Sequence, residues 1–266
     1  MAEHPSSSTS MRDRLQRRWA EAPRNGFGAG AGVVGILVGE IISEVVLGLV
    51  YATAGRGGRP STLVRDLAGL VGLWVGFVGT ALWASVAVSK AQRIRERLRD
   101  DFGLAFKASD VPLGIAAGLF GQYALVYLLE LPLVPFVPHL FDRLGAPART
   151  LTSGESTAAL AVLGVLVCVG SPLVEELFFR GLFLRGLLGV ARDQFGWRAV
   201  PAVLGSAAVS GLIFGLVHFE ALQLLALSGF GMLLAILACT TKRLGAGIIA
   251  HVTFNSLTFI ALAVSH

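Results

Sequence analysis

Glu175, Glu176, Arg180, His218, His251 and Asn255 all stand within or at the end of long apolar runs. An ionisable side chain at membrane depth costs about 2.5–3.5 kcal/mol on insertion scales, so each is a functional candidate by default. Their spacings pair them. Glu176 and Arg180 are four apart with the acid first, the favourable order for a helical ion pair. Glu175 then points about 100° away around the helix and lacks that partner. His251 and Asn255 are four apart and share a face; Phe214 and His218 repeat the spacing. If the three polar faces converge, they build a buried cluster of carboxylate, two imidazoles and an amide.

Such a cluster suits hydrolysis. A carboxylate withdrawn from water is a stronger base, fit for general-base work near neutral pH. Two imidazoles can share a proton, ligate a metal or stabilise an oxyanion, and the Asn255 amide can donate to developing negative charge. No serine or cysteine is required, so water is the natural nucleophile. Singly, each residue has a plainer reading. The Glu176–Arg180 pair can be structural, a membrane histidine can bond a neighbouring helix, and His218 at a segment end can face headgroups. Three successive motifs together outweigh those readings.

The elements that must position these residues follow from composition. The 266 residues are 54% apolar and only 15% charged, with mean hydropathy +0.71. Soluble domains carry about a quarter charged residues, which argues against a soluble enzyme, a disordered regulator and a nucleic-acid binder. A span needs about 20 apolar residues. Seven candidates occur, at 29–53, 66–89, 111–137, 156–187, 200–219, 221–240 and 244–264. Pro112, Pro132, Pro135 and Pro138 bracket or break the third, and the third and fourth are long enough to hide an extra crossing. The expected fold is all-α: a polytopic membrane helical bundle of seven or eight transmembrane helices. Only helices or closed barrels satisfy the backbone in lipid.

Residues 1–25 read as a polar, basic cytoplasmic tail, and 26–266 as one transmembrane domain with the site-bearing core at about 156–264. The net charge of +5 reflects basic clusters between apolar runs, a topology signal rather than a nucleic-acid footprint. With the N-terminus in the cytoplasm, 17 of the 22 basic residues fall on the cytoplasmic side. The others are Arg56, Arg59, Arg65, Arg143 and Arg149. This orientation sets the first and third motifs nearer the cytoplasm, which weakly favours access from there. Gly211 and Gly215 form a GxxxG, which permits a close helix crossing. Cys168 and Cys239 read as packing residues, and Trp74, Trp83 and Trp197 as membrane anchors. Glu40 and Glu44, one turn apart in the first segment, are expected to find partners between helices.

The motifs also carry a family resemblance. Glu175-Glu176-Leu177-Phe178-Phe179-Arg180 resembles EExxxR, Phe214 to His218 resembles FxxxH, and His251 to Asn255 resembles HxxxN. In this order and in apolar segments, they are similar to the CPBP (Abi) family, the CAAX prenyl protease and bacteriocin-processing intramembrane endopeptidases. The resemblance covers about residues 156–264. It implies a multi-helix fold with a conical cavity where peptide bonds are hydrolysed. It also implies catalytic roles for Glu175, His218, His251 and Asn255. Glu175 would activate water with His251 beside it, and His218 and Asn255 would orient the carbonyl or stabilise the oxyanion. Glu176, Arg180 and Phe214 would support the site.

Glu175, His218 and His251 could form a zinc site with an open position, but HExxH is absent. The same residues serve a metal-free glutamate mechanism, toward which the reading leans; no cofactor is assigned and zinc stays open. The expected partners are the lipid bilayer and a peptide or protein substrate at or in the membrane, lipid-anchored chains included. Nucleic acid is not expected. The expected location is the cytoplasmic membrane of a bacterium. The alternatives are a non-catalytic bacteriocin self-immunity or scaffold protein, and an ion- or proton-coupled transporter using Glu40, Glu44 and Glu175 as a relay. The transporter predicts internal symmetry, of which the sequence shows none.

Overall fold

A computed structural model describes residues 29–54, 58, 60–88, 93–152, 156–195 and 199–264. The tail at 1–25, Arg56, Arg59, Lys90, Arg198 and Trp197 lie outside the described residues. Those described form helices and their connections, with no strand among them.

Seven apolar helices make the bundle. They are α1 (Ala29–Thr53), α2 (Thr62–Val88), α3 (Asp110–Leu133), α4 (Thr157–Ala191), α5 (Ala199–Leu216), α6 (Leu224–Thr241) and α7 (Gly245–Val264). Five of these, α1 to α4 and α6, are long and apolar enough to cross a membrane. The apolar parts of α5 and α7 are shorter, at Val200–Leu216 and Gly245–Ala261. The fold is thus an all-α polytopic bundle with five span-length helices among the described residues.

Prolines and turns set where the helices end. Pro132, Pro135 and Pro138 end the third apolar run, because each lacks the N–H that would continue the helix; α3 stops at Leu133 and the chain turns, with His139 left-handed at φ 54°. The fifth run stops at Leu216, and Phe219 takes φ 54° in the turn that follows. In α4 the chain widens into a π-helical turn at Leu166–Gly170, just before Pro172. That widening relieves the clash between the proline ring and the preceding turn. A second π-helical stretch, Glu176–Phe183, carries the EExxxR arginine. Ser156 caps the start of α4, its Oγ accepting from Ala159 N at 3.2 Å.

Close crossings set the packing. The α5–α6 pair is antiparallel and meets at Gly211 and Gly231. A Cβ on Gly211 would lie 2.6 Å from Met232 N, and one on Gly231 would lie 2.9 Å from Gly211 Cα. The GxxxG therefore serves an internal crossing. α1 and α2 cross at Gly39 and Gly76. α3 and α7 run parallel, since Gly114 abuts Ile249 and Gly118 abuts Thr253. The central core is an aromatic belt: Phe77 stacks on Phe178 at 4.1 Å, Phe178 meets Phe179 edge-on at 5.1 Å, and Phe179 meets Phe214 at 5.3 Å.

The bundle has two distinct ends. One gathers the basic connections. Arg243 Nε donates to both oxygens of Asp110, at 3.1 and 2.8 Å, and this carboxylate holds the Arg243 guanidinium above its ordinary range. Arg185 donates to Asp101 O at 2.7 Å. The other end joins the start of α2, the short helices Leu140–Leu144 and Ala146–Thr152, and the α5–α6 turn; there Gln223 Nε2 donates to Leu144 O at 2.7 Å.

Cys168 and Cys239 are buried packing residues, and Trp83 is exposed, as expected. Trp74 is half-buried and packs on Gly170 of α4 with its Nε1 buried. Glu44 is exposed and Glu40 half-buried on α1, so the pair is not enclosed between helices, and neither lines the cavity described next.

Candidate active site

The π-helical start at Glu176 places two adjacent carboxylates in different surroundings. Glu176 is turned into the protein. Its Oε1 accepts from Arg180 Nη1 at 2.7 Å, and both side chains are fully buried. Arg180 continues across the bundle, where Nη2 donates to Gly231 O on α6 at 3.0 Å and the guanidinium stacks 4.5 Å from the Phe214 ring centroid. Three helices are thereby tied to one arginine. The i, i+4 spacing foretold the ion pair. The Gly231 carbonyl was not foreseen, because no same-helix periodicity can reveal a partner 51 residues away.

Glu176 also orients a histidine. His251 Nδ1 lies 3.2 Å from Glu176 Oε1. A carboxylate only accepts, so Nδ1 carries the proton and Nε2 of the neutral ring keeps its lone pair. That Nε2 faces Glu175, with 3.8 Å to Oε2. This Glu175 oxygen is buried and has no hydrogen-bond partner. Gly247 makes the approach of α7 possible: a Cβ there would lie 3.0 Å from Glu176 Oε2.

His218 sits in the turn just beyond α5 rather than on it. Its backbone N–H bends to Gly215 O at 3.3 Å, and its side-chain Nδ1 donates instead to Phe214 O at 2.6 Å. The side chain thus satisfies one of the orphan carbonyls at the helix end. It also fixes the tautomer, leaving Nε2 as an acceptor. Phe214 is the spacer between the two imidazoles, with ring centroids 4.7 Å from His218 and 5.6 Å from His251. Phe230, absent from the sequence reading, contacts His251 edge-on at 5.6 Å and stacks on Phe254 at 4.0 Å. Asn255 Nδ2 donates to Val167 O of α4 at 3.0 Å, which leaves its second N–H and its carbonyl oxygen.

Glu175, His218, His251 and Asn255 all line one cavity of about 660 Å³. Its other polar lining includes Ser171, Gln122, Gln223, Asp66 and Glu220, and the rest is largely apolar. Gln122, Asp66 and Glu220 carried no motif signal; only the fold brings α3, α2 and the α5–α6 turn to the same hollow. Zinc would need converging donors. Among the described residues no group of three or more His, Cys, Asp or Glu converges to hold a metal ion. The residues as placed do not fit a metal, and no step below passes through one.

The comparisons with known proteins now bear on this geometry. Residues 157–257 match the family described as type II CAAX prenyl endopeptidase Rce1-like. That stretch is similar to this family, in agreement with the CPBP resemblance of its motifs. All three motifs, from Glu175 to Asn255, fall within the match. No curated protein and no solved structure matches the chain.

Proposed function

We propose that this chain is an intramembrane endopeptidase that hydrolyses peptide bonds of membrane-associated or lipid-anchored substrates, with Glu175 as the base that activates water. One observation carries the reading: two acceptors, Glu175 Oε2 and His251 Nε2, stand 3.8 Å apart at the buried floor of a cavity open to a peptide. One water can donate a proton to each and aim its lone pair at a substrate carbonyl. Glu175 takes the proton as the O–C bond forms. The oxyanion of the tetrahedral intermediate receives the spare Asn255 N–H. Glu175 then returns the proton to the departing amine as the C–N bond breaks. His251 is oriented by Glu176, and Glu176 is held by Arg180. His218 accepts at Nε2 when neutral and donates to an oxyanion only as the imidazolium.

The cavity lining suits an apolar chain segment. Among the described residues it includes Asp66, Glu175 and Glu220 but no lysine or arginine. A free terminal carboxylate finds no cation there, which supports cleavage within a chain. The finer placement belongs to the same proposal: α5 and α7 also cross the membrane, giving seven spans in the cytoplasmic membrane of a bacterium with the N-terminus in the cytoplasm.

The test is turnover of a membrane-anchored reporter by purified full-length protein. Glu175→Gln keeps shape and hydrogen bonding but cannot take a proton, so turnover falls by about 10²–10⁴-fold with the melting temperature unchanged. Full activity in that variant would sink the mechanism.

A further inference from the structure

Gln122 and Thr258 line the cavity but take no part in the reaction proposed above. They meet because α3 and α7 run side by side in one register. Gly114 stands against Ile249 and Gly118 against Thr253, and a similar offset brings Gln122 level with Thr258. Gly121 completes the approach: a Cβ there would lie 2.8 Å from the Phe230 ring and 3.3 Å from the Phe254 ring. At this level α3 widens into a π-helical turn, Gly121–Leu125. A π-turn changes the direction of side chains within a continuous helix, and such turns recur at functional sites.

The contact holds one half of the Gln122 amide and leaves the other half unspent. Thr258 Oγ1 donates to Gln122 Oε1 at 3.2 Å, which sets the amide with Nε2 as its free end. The two N–H groups of Nε2 find no partner among the described residues. Locking α3 to α7 would not need them, and Thr258 has a second acceptor in its own helix, the Phe254 carbonyl at 3.4 Å. A peptide entering this largely apolar hollow has the complementary need, because each backbone carbonyl that leaves water must find a donor. The register then gives the position along the peptide. Thr258 lies seven residues beyond His251 on α7, with Asn255 between them on the same face. Seven residues of helix cover about 10 Å at about 1.5 Å each. An extended peptide advances about 3.3 Å per residue, so the Gln122 amide stands about three residues from a bond held beside His251.

We infer that Gln122 is a specificity-determining residue: its Nε2 donates to a backbone carbonyl of an extended substrate about three residues from the scissile bond, while Thr258 holds the amide in place. The inference rests on the peptidase reading and adds to it that the substrate lies extended along α7. A chain that does not reach the Gln122 level forgoes this bond.

Cleavage kinetics of the full-length protein in proteoliposomes test it. The probes are a membrane-anchored peptide reporter and a series of analogues in which one backbone amide at a time, along the residues flanking the scissile bond, is replaced by an E-alkene isostere. Gln122→Met keeps the size of the side chain and removes both donors. On the parent reporter its KM is expected to rise about 3–10-fold, the net worth of one hydrogen bond, with kcat nearly unchanged. The unsubstituted protein should show a similar loss on the analogue altered about three residues from the scissile bond. Gln122→Met should lose nothing further on that analogue, so the two changes are coupled there and additive at every other position. Additive losses at all positions, or an unchanged KM in Gln122→Met, would make Gln122 a helix-packing residue and overturn the inference. Should Gln122→Met fail to fold, Thr258→Val frees the amide to turn away and is expected to weaken the same position-specific coupling; full coupling in that variant would equally overturn the inference. If the unsubstituted protein cuts no reporter, the peptidase reading fails and takes this inference with it. Cleavage without position-specific coupling defeats the inference alone.

Discussion

The molecule holds two clusters of charge in apolar surroundings, and they are completed differently. At the basic end, Asp110 accepts Arg243 and the Lys107 N–H, Arg243 Nη1 also donates to Thr241 O at 2.9 Å, and Arg185 reaches Asp101 O. Ser85 Oγ donates to Asp101 Oδ2 at 2.5 Å and accepts from Arg97 at 3.1 Å. No buried side-chain atom of these residues lacks a partner. At the cavity floor, Glu175 Oε2, Glu176 Oε2 and Arg180 Nε are buried without one. Buried polar groups are normally satisfied, so exceptions call for a reason. The difference teaches that the first cluster closes helix ends and is finished by the chain itself. In the second, Glu175 lines the cavity, and its Oε2 keeps capacity unspent where a ligand would complete it.

The largest effect should come from the unspent group. Glu175→Gln is expected to leave the fold alone, since Oε2 holds nothing in place, while turnover collapses as stated above. Should thermal unfolding show Glu175→Gln to be markedly destabilised, the carboxylate is structural and the contrast between the clusters fails.

Next comes Arg180, where the floor borrows the logic of the clamp. Arg180→Ala removes the partner of a fully buried Glu176 and frees the Gly231 carbonyl. Removing one member of a buried pair costs about 3–5 kcal/mol. The expected result is a large fall in melting temperature or loss of folded protein in detergent. Any folded remainder should turn over slowly, because His251 loses the charge-assisted anchoring of Glu176. A variant as stable as the parent would mean that Glu176 finds another partner.

How much of this was legible beforehand depends on the range of each interaction. The Glu176–Arg180 pair, the GxxxG crossing and the shared face of His251 and Asn255 are repeats within one helix, and helical spacing reveals those. The loss of register at the π-helical stretches of α4 is invisible to a fixed 3.6-residue period. So is the turn that takes His218 off α5, because Val217 and Phe219 are apolar and extend the run without extending the helix. The Gly231 carbonyl, Phe230, Gln122 and the lining residues Asp66 and Glu220 come from four other elements. Their meeting is tertiary, and hydropathy carries no information about it.

At the basic end the effects should be smaller and confined to stability. Asp110→Asn retains shape but weakens a charge-assisted bond network worth about 1.5–3 kcal/mol. Unfolding measurements should show that loss, with turnover per folded molecule unchanged. A fall in turnover at constant stability would place Asp110 in the reaction and dissolve the distinction between the ends.

Ser85→Ala is the finest probe. Its hydroxyl bridges Arg97 and Asp101, so its removal breaks two bonds, yet Asp101 and Arg97 lie at a helix end where water can replace it. The loss is expected to be about 1 kcal/mol, the ordinary net worth of a hydrogen bond when the partners can be resolvated. A small drop in melting temperature with unaltered reporter cleavage is the outcome that fits. A loss several times larger would mean that the basic end is sealed from water as tightly as the cavity floor. Its complete pairing would then be a necessity of burial, and the unpaired oxygen of Glu175 would stand out all the more as the one such necessity left unmet at a place a peptide can reach.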